Sequence, residues 1–479
     1  KMDFEVVIGL EVHLQLATKS KIFCSSSASF GGEPNEYIDP VTFGLPGALP
    51  VLNYKVLEYG IKMGLALNCE INRFNRFARK HYFYPDLPKG YQISQFEEPL
   101  CERGRLDLFI NGGWRSIGIK RIHMEEDAGK NIHDSRTGSS LIDLNRAGVG
   151  LLEIVSEPDI RSPEEAGFYL KAVRQIARYL EISDGNMEEG SLRCDANISL
   201  RPAGTLQFGT RTEIKNLNSF KNVEKALEYE IARQHKILKE GGKVVQETMT
   251  FDTSNLTTRP LRSKEESSDY RYFPDPDLPP LVLEESLIES IRQELPSLPN
   301  ERLKTLTEGF GLSEYDALVL TAEKASVDFF QAVFDVCNNA KLASNWITSE
   351  LFGRLNKEGK ELKDSPITAL ALGQLISLIT DEVISGKMAK SVFDEMYETG
   401  ESPDKIVEKK GLRQLDNEDD LLKLITKILD ANVDQLATYF GGKDRVFGFF
   451  VGEVMKETKG SANPKKVNEL LKREIEKRR

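Results

Sequence analysis

Two side chains near the start of the chain are suited to hold a divalent cation. Glu11 and His13 fall on one face of a predicted strand, because the residues that alternate with them are apolar. Carboxylate and imidazole groups are common metal ligands, although each residue alone is more often a solvated or structural group. The apolar positions that predict the buried face are Ile8, Leu10, Val12, Leu14 and Leu16.

Two later predicted strands also carry charges on the face that does not enter the core. Apolar residues occupy every second position from Leu192 to Leu200, and Arg193 and Asp195 alternate with them. The next run alternates in the same way, with charged members Arg211, Glu213 and Lys215. Arg193 and Lys215 could stabilise developing phosphate charge, and structural ion pairing is an equally good interpretation.

Further carboxylates lie where burial would be costly. Glu153 sits inside the apolar run 149–155, and Glu125, Glu126 and Asp127 are consecutive. A buried carboxylate needs a cation or hydrogen-bond donors, and a shared cation would serve several of these groups. A turn at 125–127 and a structural role for Glu153 are the alternatives. Oxygen ligands favour Mg²⁺, whereas imidazole suits Mn²⁺ or Zn²⁺ better, so the sequence does not decide which metal binds.

Several common catalytic arrangements are missing from the sequence. No GxxxxGK[ST] phosphate loop occurs, and Gly148-Val149-Gly150 lacks the third glycine of a dinucleotide motif. The run Cys24-Ser25-Ser26-Ser27 has no nucleophile-elbow context, and the five scattered cysteines predict neither a disulfide framework nor a zinc site. We therefore expect no covalent nucleophile.

The chain pattern predicts an α+β protein with a strand-rich catalytic domain over 1–292, a helical domain over 293–400 and a helical tail over 405–479. Ser162 and Ser219 are predicted to begin two helices of the first domain. No apolar stretch is long enough to cross a bilayer and no export signal is present, so we expect a cytoplasmic protein.

The net charge is −11, yet the end of the chain is basic. Gly441 to Arg479 carries 11 Lys and Arg against 6 Asp and Glu. Such a tail suits phosphate contacts, and a solvated helix is the alternative.

Longer motifs resemble one family, the GatB component of the aspartyl/glutamyl-tRNA(Asn/Gln) amidotransferase. The resemblance spans essentially the whole chain. The motifs are Gly9-Leu10-Glu11-Val12-His13, Tyr82-Phe83-Tyr84-Pro85-Asp86, Tyr91-Gln92-Ile93-Ser94-Gln95, 123–130, Asp143-Leu144-Asn145-Arg146, 153–159, 187–197, 213–219 and Gly460-Ser461-Ala462-Asn463-Pro464.

The resemblance implies a catalytic cradle that uses ATP to phosphorylate the side-chain carboxylate of Glu or Asp mischarged on tRNA. Ammonia then displaces phosphate to give the amide. It also implies a glutaminase partner of the same amidotransferase that sends ammonia through a channel, and a small third partner that braces the two. The missing nucleophile agrees with this chemistry, because the substrate carboxylate itself attacks phosphorus.

The resemblance also implies roles for particular residues. His13, Glu126 and Glu153 are expected to hold one metal, and a second metal or the ATP phosphates are expected near Glu11, Asp195, Glu213 and Lys215. Lys80, Lys89 and Glu126 are expected at the ammonia channel. The tail is expected to contact the body of the tRNA through Lys465, Lys466, Lys472 and Arg473.

Two rival functions stay open on the sequence. A non-catalytic tRNA-docking scaffold would use the carboxylates only to organise the fold, and a metal-dependent nuclease or phosphatase would act without ATP. The sequence does not decide between Glu-tRNA and Asp-tRNA as the substrate.

Overall fold

The computed structural model describes residues 3–261, 269–413 and 417–479. The chain divides into two compact units, Lys1–Glu301 and Arg302–Arg479. The first unit contains strands and helices, and the described residues of the second unit are helical with short turns. The predicted α+β class is therefore confirmed.

A mixed sheet of nine strands is the main element of the first unit, in the order β14-β13-β12-β11-β1-β10-β7-β6-β2. Neighbouring strands are antiparallel except for the parallel pair β12 and β13. The described strands are β1 (Phe4–Gln15), β2 (Glu70–Ile71), β3 (Phe74–Asn75), β4 (Ala78–His81), β5 (Tyr91–Ser94), β6 (Cys101–Ile110), β7 (Gly113–Glu126), β8 (Lys130–Asp134), β9 (Ser139–Asp143), β10 (Gly150–Ser156), β11 (Leu192–Pro202), β12 (Thr212–Leu217), β13 (Thr248–Asp252), β14 (Thr257–Pro260), β15 (Phe273–Pro274) and β16 (Leu281–Val282).

The predicted apolar face of β1 is buried. Leu10, Val12 and Leu14 are fully buried, and on the neighbouring strand β11 so are Cys194 and Ala196. This face belongs to the main hydrophobic core, which leaves the opposite face of the sheet for polar side chains. The sequence prediction for these two strands is confirmed.

Helices complete the first unit: α1 (Pro40–Phe43), α2 (Tyr54–Ala66), α3 (Pro163–Tyr179), α4 (Phe220–Lys239), α5 (Glu285–Glu294) and α6 (Pro299–Lys304), the last of which crosses the boundary at Glu301. Ser162 caps α3 through a bond from the Glu165 amide (3.1 Å), and Ser219 caps α4 through a bond from the Asn222 amide (3.0 Å). Both predicted helix starts are therefore confirmed.

A fully buried carboxylate joins α4 to the sheet. Glu230 accepts hydrogen bonds from the hydroxyls of Thr212 (2.8 Å) and Thr258 (2.7 Å), and Arg233 Nε donates to it at 2.9 Å. These bonds offset the cost of burying its charge.

We expect Glu230→Ala to lower the free energy of unfolding by about 3–5 kcal/mol, because it leaves a partly buried guanidinium and two hydroxyls without their acceptor. Urea unfolding of the chain measures the change. Glu228→Ala on the same helix is the control and should change stability by less than about 0.5 kcal/mol. Equal effects of the two substitutions would contradict a stabilising role for Glu230.

A three-stranded sheet, in the order β15-β4-β5, lies against β7 near the end of that strand. Gln92 of β5 donates to the backbone oxygen of Glu126 at 2.6 Å, and Ser94 donates to the Glu125 carboxylate at 3.0 Å. The small sheet therefore fixes the carboxyl end of β7.

The second unit continues with helices α7 (Glu314–Thr321), α8 (Lys324–Cys337), α9 (Ala340–Asn345), α10 (Phe352–Lys357), α11 (Ala369–Thr380), α12 (Gly386–Thr399), α13 (Pro403–Lys410), α14 (Glu418–Ala431), α15 (Val433–Phe440), α16 (Val446–Glu457) and α17 (Pro464–Lys477). A separate core joins α14 to α17. Position 405, the predicted start of the tail, lies inside α13, and the three-domain division stays a prediction. Within the described ranges, no helix has both the length and the apolar composition needed to span a bilayer.

Candidate active site on the polar face of the sheet

The strand register gathers residues from distant parts of the chain on the polar face. His13 of β1 lies opposite Glu153 of β10 and Arg193 of β11, and Glu153 in turn lies opposite His123 of β7. Side chains at paired positions share a face, so four neighbouring strands contribute to one row. Two adjoining groups of carboxylates result.

The first acidic group consists of His13, Glu125 and Glu153, whose ligand atoms lie within 4.8 Å of one another. His13 Nδ1 is 3.5 Å from Glu125 Oε1. His123 Nε2 contacts Glu153 Oε2 at 2.9 Å and Glu125 Oε2 at 3.4 Å. His123 therefore orients both carboxylates from the side, as partners of metal ligands commonly do.

Glu126 does not join this group, which corrects the predicted metal set. Successive residues of a strand point to opposite faces, so Glu125 shares the polar face with His123 while Glu126 points away. Glu126 instead binds Lys89 and accepts the Ile93 amide at 3.1 Å. The sequence held the signal that would have selected Glu125, because Ile122 and Met124 mark the buried face and place His123 and Glu125 on the other.

The second acidic group consists of Glu11, Asp195 and Glu213, also within 4.8 Å of one another. Lys215 Nζ lies 2.8 Å from Glu213 Oε1 and 3.4 Å from Asp195 Oδ2. Asn216 has a positive φ of 58° beside an irregular register of β11 and β12, and its amide donates to Asp195 at 2.9 Å. This local bend brings Lys215 and the Asn216 amide to the same carboxylate.

His13 links the two groups, because its Nε2 lies 3.6 Å from Asp195 Oδ2. Burial lowers the pKa of His13, but bonds to Asp195 and Glu125 outweigh it and hold the pKa well above its usual value. Burial raises the pKa of Asp195, but His13 and Lys215 outweigh it and lower that pKa to about 2. Burial raises the pKa of Glu11, and the charge of Glu153 raises it further.

The donor sets fit divalent cations. One group offers an imidazole and two carboxylates and the other offers three carboxylates, all gathered at spacings that one ion can bridge. In addition, Nδ1 of His123 is buried without a hydrogen-bond partner among the described residues, so the polar network around the first group is incomplete. Bound cations would neutralise the negative charge of these closely spaced carboxylates.

A cavity of about 280 Å³ opens beside the second group. Gly9 exposes its backbone at the base of this cavity, and the space above it is open, since a Cβ there would meet no atom closer than 3.9 Å. Lys120 and Arg211 line the cavity with no ion-pair partner among the described residues, and the exposed ring of Phe208 forms part of its wall. Cations, open backbone and an aromatic ring are together suited to a nucleotide.

The predicted channel residues lie on the side of the small sheet. Lys80 Nζ is 4.5 Å from the ring centroid of Tyr270 and 5.8 Å from that of Tyr82. Burial lowers the pKa of Lys80, but the combined effect of Glu125, Glu153 and the neighbouring tyrosines outweighs it and the net direction is upward. Lys89 and Glu126 pair beside a small second cavity that extends to Cys24. The structure thus brings Lys89 and Glu126 together and places Lys80 nearer to the first acidic group.

Comparison with known proteins decides the family. A family model described as the GatB/GatE catalytic domain matches residues 6–289, and one described as the GatB domain matches residues 328–475. The chain belongs to the GatB family. Curated relatives named as the B component of aspartyl/glutamyl-tRNA(Asn/Gln) amidotransferase include one from Thermodesulfovibrio yellowstonii, 53% identical over 98% of this chain and 99% of the relative. Another, from Syntrophotalea carbinolica, is 54% identical over 98% of both chains.

Membership in the GatB family confirms the resemblance read from the motifs, but it assigns no residue its role. Arg193, predicted to stabilise phosphate charge, points to Asp127, whose Oδ2 it contacts at 2.7 Å. Asp127 also accepts Gln15 Nε2 at 2.7 Å. In this GatB chain Arg193 therefore holds the end of β7 next to the first acidic group, which is the structural ion pairing that the sequence left open.

The predicted tRNA contacts of this GatB chain all lie on α17. The buried side of that helix carries Val467, Leu470, Leu471 and Ile475. Lys465 and Lys472 are exposed, and Arg473 pairs with Glu418 at 2.8 Å. Lys466 is half-buried. The exposed lysines are therefore better placed than Arg473 to meet a phosphate backbone.

Proposed function

We propose that the chain is the member of an ATP-dependent amidotransferase that activates the side-chain carboxylate of mischarged Glu-tRNA or Asp-tRNA and amidates it. The observation that carries the proposal is the pair of adjoining acidic groups that His13 links, with a cavity lined by Lys120 and Arg211 beside them. Family membership supports the same reaction. The polar face of the sheet would bring the substrate carboxylate, the cations and the nucleotide together in one place.

The first step is phosphoryl transfer. An oxygen of the substrate carboxylate attacks the γ-phosphorus of ATP, the bond to the ADP oxygen breaks, and an acyl phosphate and ADP result. Bound to His13, Glu125 and Glu153, and to Glu11, Asp195 and Glu213, divalent cations would neutralise the negative charge of the transferring group. Lys215, held by Glu213 and Asp195, adds a fixed positive charge at the second group.

ATP has its best place in the cavity beside Gly9. Lys120 and Arg211 are free to meet phosphate oxygens, and the Phe208 ring can contact the adenine. The cavity opens next to Glu11, so the terminal phosphate would lie at the second acidic group. The oxygen donors favour Mg²⁺, while His13 would also suit Mn²⁺ or Zn²⁺ at the first group.

The second step is amidation. The ammonia nitrogen bonds to the acyl carbon, the carbon–oxygen bond to phosphate breaks, and the nitrogen sheds a proton. We propose that the ammonia path runs past the Lys89–Glu126 pair, which lines the small cavity near Cys24, and then past Lys80 to the first acidic group. Glu126 is the carboxylate on this path that can accept the proton.

The ammonia needs a separate source. Cys24 and the serines that follow it have no catalytic base identified beside them in sequence, so we place glutamine hydrolysis on a glutaminase partner, the A component of the amidotransferase, with a small C component as the third member. The cytoplasm, where translation occurs, is the proposed location.

The tail is proposed to bind the body of the tRNA. We expect Lys465→Glu combined with Lys472→Glu to raise the Michaelis constant for mischarged tRNA about tenfold at moderate salt, because two phosphate contacts are replaced by repulsion. The turnover at saturating tRNA should stay the same. Lys423→Glu on α14 is a matched control on another helix. Unchanged Michaelis constants in the double variant would remove tRNA binding from this face of α17.

The activation step is tested with the assembled complex, mischarged tRNA and γ-labelled ATP, without an ammonia source. Label should accumulate on the tRNA-linked carboxyl group in the wild type and be lost in Glu11→Gln and Glu153→Gln. Glutamine hydrolysis, measured in parallel, should continue in both variants. A scaffold function predicts full activity of the variants, and a nuclease or phosphatase function predicts turnover without ATP.

A further inference from the structure

Aromatic rings form an exposed stack at the edge of the first acidic group. The rings of Phe96 and Tyr272 lie face to face, with centroids 4.0 Å apart and planes 5° from parallel. Tyr272 is also 5.9 Å from Tyr270, whose ring covers Lys80. The segment around Tyr272 is attached to β4 by β15, so the stack has a fixed position relative to the small sheet.

The stack is connected to the acidic group through β7. Arg121 of that strand donates from Nη1 to the backbone oxygen of Phe96 at 2.7 Å. Two residues further along the same face, His123 contacts Glu153. Lys80, beneath the Tyr270 ring, lies close enough for Glu125 and Glu153 to affect it electrostatically. The stack and the acidic group are thus parts of one site.

The stack presents aromatic surface to solvent. Phe96 is 44% exposed, and it lines a cavity of about 70 Å³ together with Phe273, which is also 44% exposed. Each nucleobase has a π-face that can stack on an aromatic side chain, as the bases of single-stranded nucleic acids do on the proteins that bind them. An exposed stacked pair beside a catalytic group is therefore suited to an unpaired base.

We propose that Phe96 and Tyr272 bind the 3′-terminal nucleobase of the mischarged tRNA. The inference rests on the proposed function, in which the substrate amino acid must reach the first acidic group. That amino acid is esterified to the terminal ribose. The terminal base therefore has to lie no further from the first acidic group than the length of one nucleoside and its amino acid. The Phe96–Tyr272 stack provides aromatic surface beside that group, because Arg121 joins Phe96 to β7 two residues before His123.

Charge separates this site from the ATP cavity. Glu97, Glu98 and Arg76 line the cavity at the stack, and Arg76 pairs with Glu98 at 2.6 Å. Its charged lining therefore offers a triphosphate no unpaired cation, whereas the face of a nucleobase is uncharged and needs none. Lys120 and Arg211 line the cavity on the other side and favour the triphosphate. The two nucleotide groups of the reaction are thereby directed to opposite sides of the acidic groups.

The test uses the assembled complex and mischarged tRNA whose terminal adenine is replaced by 2-aminopurine, a base whose fluorescence falls when it stacks. We expect wild-type complex to quench the signal and Phe96→Leu and Tyr272→Leu to abolish the quenching and raise the Michaelis constant for this tRNA about tenfold. Tyr272→Phe, which keeps the ring, should restore both. Trp114→Leu is the matched control, since Trp114 is also 44% exposed and packs on another ring, that of Phe109.

The outcomes separate the inference from the proposed function. Quenching that survives both leucine variants, or that is lost instead in Phe208→Leu, overturns the placement of the base while acyl-phosphate formation in the wild type still supports the function. Absence of acyl phosphate in the wild type rejects the function itself. Circular dichroism of the leucine variants distinguishes lost stacking from a structural effect, because a general loss of structure would change the spectrum whereas the loss of one exposed ring would not.

Discussion

Glu125→Gln is expected to abolish acyl-phosphate formation, whereas Glu126→Gln is expected to leave it intact. The two residues are adjacent on β7 but point to opposite faces, Glu125 toward His13 and Glu126 toward Lys89. Loss of a carboxylate from the cation group should slow phosphoryl transfer about a thousandfold, because the charge of the transferring group is no longer neutralised. The measurement is labelled acyl phosphate formed by the complex without ammonia.

The Glu126 variant supplies the matched control in the same experiment. With glutamine added, it should form acyl phosphate but yield little amide, because the proposed ammonia path past Lys89 and Glu126 is altered. The intermediate would then be lost to water, so that ATP consumed exceeds amide formed. Equal losses of acyl-phosphate formation in both variants would contradict the different roles proposed for the two faces of β7.

His13→Ala is expected to remove metal binding at the first acidic group and to weaken it at the second, since His13 is a member of the first and contacts Asp195 of the second. Titration with Mn²⁺, followed by electron paramagnetic resonance of the free ion, should show the tighter binding lost and the remaining affinity reduced about tenfold or more. Activation should fall about a thousandfold.

A surface histidine provides the control for this substitution. His133 lies on β8 and contacts Ser140 at 3.1 Å, outside both groups. His133→Ala should leave Mn²⁺ binding and activation unchanged. Wild-type binding in His13→Ala would show that the carboxylates do not depend on the imidazole and would favour the scaffold interpretation.

Local patterns were sufficient to predict the strands of the site. The alternation in β1 and β11 placed Glu11, His13 and Asp195 on one face, and the serine caps of α3 and α4 marked two helices. These features depend on residues close together in the sequence. These features can therefore be predicted from the sequence without knowledge of the tertiary structure.

Other features depend on pairing between distant strands. The contact of His123 with Glu153 requires the register of β7 against β10, and no local period specifies it. Arg193 shares a face with Asp195, yet a partner 66 positions away, Asp127, determines where it points. The choice between Glu125 and Glu126 is different, because the alternation of β7 is a local pattern and selects Glu125, whereas the resemblance implied Glu126.

Locating the cation is the sharpest test of this mechanism. Crystals of the complex soaked in Mn²⁺ with a non-hydrolysable ATP analogue should show an anomalous peak about 2–2.3 Å from His13 and from carboxylate oxygens of Glu125 and Glu153. An anomalous peak bound to Glu126, or no peak at this group in a complex that still forms acyl phosphate, would contradict it.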